Sequence, residues 1–581
     1  MADQRTCDII MKGGITSGVV YPEAILRLSE SFHFKNIGGT SAGAIAAVIT
    51  AAAEYNRAGG GYDVVRALPG EIQHTLKSLF QPSPGVRPVF DAALHVLDKN
   101  YGKAAGALAR GFWLFLLVGS APALGLALVA AMAGNGWAAA ALLVLGLLCG
   151  LILFVIGVGV ATVRRLGGLD FGFCPGRTQN PDGPPGLSDW LAEKIEVAAG
   201  RMVPGGKMPD APLTFADIWR KPTGEGNEQA PAINLRMMTT NLTLRRPNNL
   251  PSMDDNHYFQ EQEFRRVFPD WIVDYLVKAS ATVPTKDPLR PGYYRFPSGG
   301  ELPLIVAARM SLSFPILFSA VPLYRFDYVH RVEDDPPSLV RMLFSDGGLS
   351  SNFPVHFFDA LLPRRPTFGV SLEELDKQKP DKRVVLPMRA GGIWLDGVEI
   401  KTIFSFLMAL VNAAKDWQDR LQSTLPGYRE RIASIYLKDT EGGLNLTMPA
   451  STIAELTKLG DRGGALMTGA AHNPDDKAPF DFDDHRWRRY LVAFARIEET
   501  LLSTAQVWGK PDDPNSFSHF IHGYMTAPKS YYGSTTRWRN EVFDRFDSLM
   551  TLVAGWDKPL ATARGGEIPR PVADFRITPK L

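Results

Sequence analysis

The chain has 581 residues, 45% of them hydrophobic, and a formal net charge of +2. That length allows about two to four domains with full cores. The balanced charge and the absence of a basic run argue against a nucleic-acid partner.

In chain order, Met1 to Cys7 is polar and the apolar run that follows is too short for a signal peptide, so none is expected. Cys7 to Met11 reads as a strand, and Lys12 to Gly18 (KGGITSG) as a glycine-rich turn after it. Such a turn can aim backbone N–H groups at an anion, because glycine permits the necessary φ/ψ values. Val19 to Leu28 reads as a helix with Pro22 in its first turn. Phe34 to Ile37 is a short strand and Ala44 to Arg57 an alanine-rich helix. Between them lies Gly39-Thr40-Ser41-Ala42-Gly43, a G-x-S-x-G pattern at a strand-to-helix turn. On such a turn a serine hydroxyl is pushed out at the carboxyl end of the strand, and small neighbours let helix and strand close up. The helix N-terminus adds positive partial charge beside it.

From Gly111 to Val163 no charged residue occurs across fifty-three positions. Residues 112–133 and 137–163 are two apolar spans joined by Gly134-Asn135-Gly136. Each suffices to cross a hydrocarbon core of ~30 Å, which takes ~20 helical residues. The turn is short enough to demand an antiparallel hairpin, and its small residues allow close helix approach. Lys103 and Arg110 precede the hairpin and Arg164 and Arg165 follow it, so the positive-inside rule places both ends in the cytoplasm. Cys7, Cys149 and Cys174 are too few and too scattered for a metal site, and suit a reducing compartment.

Further on, residues 171–186 and 202–212 are proline- and glycine-rich loops, and Ser188 to Ala198 is a helix with its cap at Leu187-Ser188. Asp182-Gly183 and Asp396-Gly397 read as simple turns. Ala232 to Leu244 reads as sheet central to the fold. Val340 to Phe344 is a strand that ends in Ser345-Asp346-Gly347-Gly348. A parallel sheet would bring an aspartate at that end beside Ser41, at the edge where open α/β sheets gather their active sites. His356 falls on a helix pattern after Pro354, too far along to join Asp346. The charged stretch Glu373 to Arg383 marks a domain boundary, beyond which Ser434 to Leu437 is a strand and 400–421, 487–502 and 536–553 are amphipathic helices. Clusters such as Trp487-Arg488-Arg489 read as helix surface.

Together these segments make the chain resemble the patatin-like phospholipases. The order is Gly13-Gly14, then Gly39-Thr40-Ser41-Ala42-Gly43, then Asp346-Gly347-Gly348, with Ala308 to Pro315 and Asn352 to Val355 similar to the segments flanking the aspartate strand. The resemblance covers roughly residues 6–56 and 230–375. It implies a Ser41–Asp346 dyad with an oxyanion hole at Gly13 and Gly14, and Gly39, Gly43, Gly347 and Gly348 shaping the turns. In the family's D-G-G-G-x-R-G loop, Lys12, Ile15 and Ser17 here replace the first Asp, the third Gly and the Arg.

The implied fold is α/β: a patatin-like three-layer sandwich with a mainly parallel central sheet, an inserted transmembrane hairpin and a mostly helical C-terminal region. The expected divisions are 1–110 and 166–375 for the catalytic domain, 111–165 for the hairpin, and 376–581 for a region of unassigned role. The expected activity is a membrane-anchored serine hydrolase of phospholipid or lysophospholipid acyl esters. Its partners would be membrane phospholipids and a regulatory protein or ligand, with no metal or cofactor. A neutral lipase, thioesterase or transacylase with the same dyad is an alternative, as is a non-catalytic membrane scaffold.

Overall fold

A computed structural model describes residues 5–556 except 15, 222–223, 255, 282–288, 290, 329–337, 376–381, 388–399, 401–405, 407–408, 411–412, 414–418, 420–422, 424, 426, 439, 444, 472–479 and 529–533. Ile15, Asp396-Gly397 and most of the helix expected over 400–421 therefore lie outside the described residues.

The first strand, β1 (Thr6–Met11), is buried along all but its first residue. A strand buried in this way is covered on both faces, and its one charge, Asp8, is paired with Arg365 at 2.8 Å. Helix α1 (Tyr21–Ser29) carries Pro22 in its first turn, and β2 (His33–Gly39) leads into α2 (Ala42–Tyr55). Then follow α3 (Gly61–Thr75), α4 (Arg87–Leu97), and the long pair α5 (Tyr101–Met132) and α6 (Gly136–Gly168). Strand β3 (Gly172–Cys174), α7 (Leu187–Ala198) and α8 (Phe215–Trp219) precede β4 (Asn234–Asn241), β5 (Arg246–Leu250) and β6 (Tyr258–Gln260). Next come α9 (Glu261–Arg265), α10 (Asp270–Ala281), β7 (Tyr293–Arg295) and α11 (Leu304–Ser311). Strands β8 (Ile316–Phe318), β9 (Val321–Asp327), β10 (Ser338–Asp346), β11 (Thr367–Glu374), β12 (Val384–Val385) and β13 (Ile432–Leu437) follow. The chain closes with α12 (Ala450–Thr468), α13 (Phe482–Trp508), α14 (Phe517–Tyr524) and α15 (Thr536–Ala554).

Eleven strands form one sheet in the order β12-β13-β11-β1-β2-β4-β10-β9-β6-β7, with β5 added beside β4; β3 and β8 pair separately. The fold is thus α/β with a mixed sheet. Strands β13, β11, β1, β2 and β4 run parallel, but β4–β5, β4–β10, β9–β10, β6–β9, β6–β7 and β12–β13 are antiparallel. The expectation of a mainly parallel sheet is corrected on this point. Residues 328–337 alone join β9 to β10, fewer than the dozen or so that a parallel crossover takes.

No boundary falls at residue 375 either. Six residues of β13 pair with β11, from Gly369↔Ile432 to Glu374↔Leu437. Helix α12 carries Asp461, whose carboxylate accepts from Arg27 of α1 at 3.0 Å. The region after 375 therefore completes the central sheet and its helical cover.

Helices α5 and α6 are long and apolar enough to cross a membrane, and only 11% of either apolar window is buried. They are not core helices. They meet along small residues: a Cβ on Gly119 would lie 2.8 Å from Gly150 Cα, and one on Gly146 2.5 Å from Ala123 Cβ. Asn135 caps α6 by accepting from Ala138 N at 3.1 Å. Both helices outrun the expected spans at the polar end, and α5 departs from helical geometry at Phe112 (φ −132°, ψ 23°), where the first span was expected to begin. That end is tied to the body. Arg165 donates to Gly85 O at 2.5 Å and lies over the Phe112 ring, while a Cβ on Gly111 would overlap Pro88 at 2.3 Å.

Candidate active site

Ser41 follows β2 at the junction with α2, with φ 54° and ψ −129°. A side chain with positive φ is costly, of order 1–3 kcal/mol, and persists only where surroundings impose it. Here the imposition is close packing. A Cβ on Gly43 would come within 2.3 Å of Met11 O, and one on Gly39 within 2.3 Å of Gly43 O. Glycine at both positions lets α2 sit against β1 and β2, and the chain between them has to turn sharply through Ser41. The side chain is buried, and its Oγ donates to Gly14 O at 3.1 Å.

Asp346 arrives from the other direction to that expected. Strand β10 runs antiparallel to β4, with Asp346 opposite Thr239, while β2 runs parallel to β4, with Gly39 opposite Met237. Both registers put the ends of β2 and β10 at one level of the sheet. The aspartate is held by three main-chain contacts: its N–H donates to Ser313 O (3.0 Å), its O accepts from Thr240 Oγ1 (2.8 Å), and Oδ1 accepts from Gly348 N (2.7 Å). Gly347 and Gly348 form the short turn 347–349 that supplies this last donor.

Asn352 lies close to both. Its Oδ1 is 2.2 Å from where a Cβ on Gly13 would be, and 2.8 Å from one on Gly348. The same Gly13 position is 3.2 Å from Ser41 Cβ, and the same Gly348 position is 2.7 Å from Asp346 Oδ1. Ser41 and Asp346 are thus each one glycine away from a single amide oxygen. The Asn352 carbonyl also accepts from Gly13 N (2.7 Å) and Thr40 Oγ1 (3.1 Å). The sequence placed Asn352 in a matching segment but gave it no role.

The oxyanion assignment needs correction at Gly13. Its N–H is engaged by Asn352 O and does not face an empty position beside Ser41. Gly14 turns its carbonyl toward Ser41, where it accepts from Ser41 Oγ and, at 3.3 Å, from Ala42 N. The Gly14 N–H has no acceptor among the described residues, and the Ala42 N–H is held only by that long contact. The donor the sequence did not single out is therefore Ala42, the residue after Ser41.

His356 lies in a 3-10 turn, Val355–Phe358, with its ring against Phe357, and the structure does not bring it to the pair. Lys12 pairs with Glu373 at 2.7 Å. Among the described residues no cluster of His, Cys, Asp or Glu is arranged to hold a metal.

An apolar cavity of about 90 Å³ lies one residue on, walled by Ala42 but not by Ser41 itself. Gly18 and Ala42 line its end nearest Ser41 in the chain, and Leu79, Trp190, Phe314 and Phe318 line it elsewhere. One wall comes from α3 and residues 76–80, which lead directly into α4 and the apolar hairpin.

No family profile matches the chain. The chain is 32% identical to a Rhizobium meliloti (strain 1021) protein called RpoH suppressor, across 99% of each sequence. That name states no chemistry.

Proposed function

The chain belongs to the family of the RpoH suppressor, and we propose that it is a patatin-like, membrane-anchored serine hydrolase of phospholipid or lysophospholipid acyl esters. The observation that carries this reading is Ser41 at positive φ on a strand-to-helix turn, level with Asp346 and followed by Ala42 in the wall of an apolar cavity. An acyl chain in that cavity would bring its ester carbonyl to Ser41, and holding the reactants in place contributes much of the rate.

In the proposed reaction Asp346 takes the Ser41 proton as Oγ attacks the carbonyl carbon. The carbonyl oxygen becomes an oxyanion and replaces Gly14 O as the acceptor of Ala42 N–H, with Gly14 N–H as second donor. Such donors typically contribute ~3–4 kcal/mol each. Collapse breaks the ester C–O bond, and the departing alcohol takes the proton from Asp346. Water, deprotonated by the same carboxylate, then cleaves the acyl-enzyme to free the fatty acid. The hairpin would hold the enzyme beside its substrate, with the catalytic body on the cytoplasmic face by the charge flanking α5 and α6.

The test is fatty-acid release from mixed phospholipid vesicles by the full-length protein, beside Ser41→Ala and Asp346→Asn. Release by the wild type alone supports the dyad, and the products identify the lipid. Release from acylglycerols or thioesters instead would move the substrate to a neutral lipase or thioesterase, and acyl transfer to another lipid would make it a transacylase. One observation favours the scaffold alternative: Gly13 N–H and Ala42 N–H are both occupied in this conformation. A fluorophosphonate that fails to label Ser41 in the folded, membrane-inserted protein would decide for it.

A further inference from the structure

Asp419 lies far from the motif residues in sequence, yet its buried carboxylate reaches the segment that follows the Asp346 turn. Oδ2 accepts from two consecutive backbone N–H groups, Asn352 (2.6 Å) and Phe353 (2.8 Å), and Oδ1 accepts from Ser351 Oγ (2.8 Å). Successive N–H groups that converge on a carboxylate form an anion nest, and hydrogen bonds to an ionised acceptor are about twice as strong as neutral ones.

What is held there matters. The Asn352 peptide unites the site: its N–H goes to Asp419, and its carbonyl accepts from Gly13 N and Thr40 Oγ1. Gly13 belongs to the first glycine loop, and Thr40 immediately precedes Ser41. Fixing residues 351–353 therefore fixes where the glycine loop stands against Ser41, and where the Asn352 amide stands beside Gly13 and Gly348. A misplacement of 1 Å in such a constellation is enough to cost roughly 10²-fold in rate.

We infer that Asp419 is a positioning residue for the Ser41–Asp346 site, a carboxylate contributed by the region after residue 375 that sets the glycine loop through Asn352. The inference rests on the hydrolase reading for its kinetic consequence but not for its structural one, and the two are measured separately. Asp419→Ala removes all three contacts. Asp419→Asn keeps an acceptor for part of them and is the milder variant, should the alanine protein not fold.

Two readouts are taken on full-length protein in lipid. Hydrogen exchange of peptides covering residues 11–14 and 349–353 reports the clamp whether or not any ester is cleaved. Turnover, normalised to Ser41 sites titrated with a fluorophosphonate, reports its effect on chemistry. The expected result is faster exchange in both peptides, and a fall in kcat per titrated site of roughly 10²-fold for alanine. Asparagine should fall between it and wild type, with KM within about twofold. Unchanged exchange in the 11–14 peptide would overturn the inference. So would normal kcat per titrated site with fewer sites, which is what a purely structural residue would give. If exchange quickens while the wild type cleaves nothing, the clamp stands and the hydrolase reading fails.

Discussion

The Asn352 carbonyl accepts the Gly13 N–H at 2.7 Å, while the Asn352 side-chain oxygen fills the space beside Gly13 Cα. The two residues fit only because one has no side chain. Gly13→Ala would drive a methyl group into the amide and toward Ser41. Turnover and Ser41 labelling should fall by roughly 10²-fold. The penalty should shrink in an Asn352→Ala background, where the methyl has room. Neighbouring residues are non-additive in this way. Equal penalties in both backgrounds, measured as kcat/KM, would mean that the pair is not coupled.

Backbone strain at Ser41 gives a second expectation. Glycine tolerates φ 54° and ψ −129° far better than alanine does. Both Ser41→Gly and Ser41→Ala should be inactive. Thermal unfolding should find the glycine variant more stable, by on the order of 1 kcal/mol. A lower midpoint for glycine would indicate that the surroundings do not force the conformation.

The hairpin seam has a built-in control. Gly150→Leu would press a side chain into Ser120, 3.2 Å from where its Cβ would be, and should lower the thermal midpoint in nanodiscs. Gly125→Leu, with nothing within 4 Å of its Cβ, should leave it unchanged. Equal effects would show that α5 and α6 do not associate along this face.

Orientation can be read by labelling. With Cys149 replaced by Ala, a Gly136→Cys variant carries one thiol at the hairpin turn, since Cys7 and Cys174 are buried. An impermeant maleimide added to intact cells should label it if the ends of the hairpin are cytoplasmic. Labelling only after the cells are opened would reverse the assignment.

Stability should depend on pH through Glu54. Burial raises the pKa of this carboxyl, but hydrogen bonds from His33, Arg57 and Tyr62 outweigh burial and hold it below the ordinary value. Arg57 Nη2 and Tyr62 Oη both lie 2.6 Å from Oε2. A depressed folded pKa stabilises above the unfolded value, about 4.3, and the contribution is lost as pH falls through the folded one. Glu54→Gln should therefore be destabilised by about 3 kcal/mol at neutral pH, as for a broken buried pair. Denaturant titration should show the gap closing below about pH 4. A gap independent of pH would point to packing alone.

Local features of the fold were largely legible. The strand at 7–11, the turn at Ser41 and the uncharged stretch from Gly111 each follow from short-range pattern, and each has its counterpart in an observed element. Strand direction was less so. Nothing around Val340 to Phe344 says that its neighbours run antiparallel; that follows from the brevity of the link before it. The state of the Gly13 N–H was not legible, because its acceptor is Asn352, and the glycines in the motif look the same whether their donors are free or taken. Asp419 was wholly hidden. A lone aspartate in an amphipathic pattern carries no mark of the three donors it meets across the fold. Likewise β13 was expected as a strand, but its pairing with β11 is a long-range fact that no local pattern records.

The hairpin interrupts the chain between two strands that lie side by side, β2 and β4. When Gly39 leaves the ribosome, its neighbour Met237 is still roughly two hundred residues from synthesis, a large loop to close. Both apolar helices are made in that interval. The centre of the sheet can therefore close only after the hairpin has emerged and had its chance to enter a bilayer. Until then β2 offers an open edge, the kind of surface on which chains aggregate. If the hairpin enters a bilayer as it emerges, that order of biogenesis lets anchoring precede assembly, and the surroundings of Ser41 would then be completed at the membrane and not ahead of it.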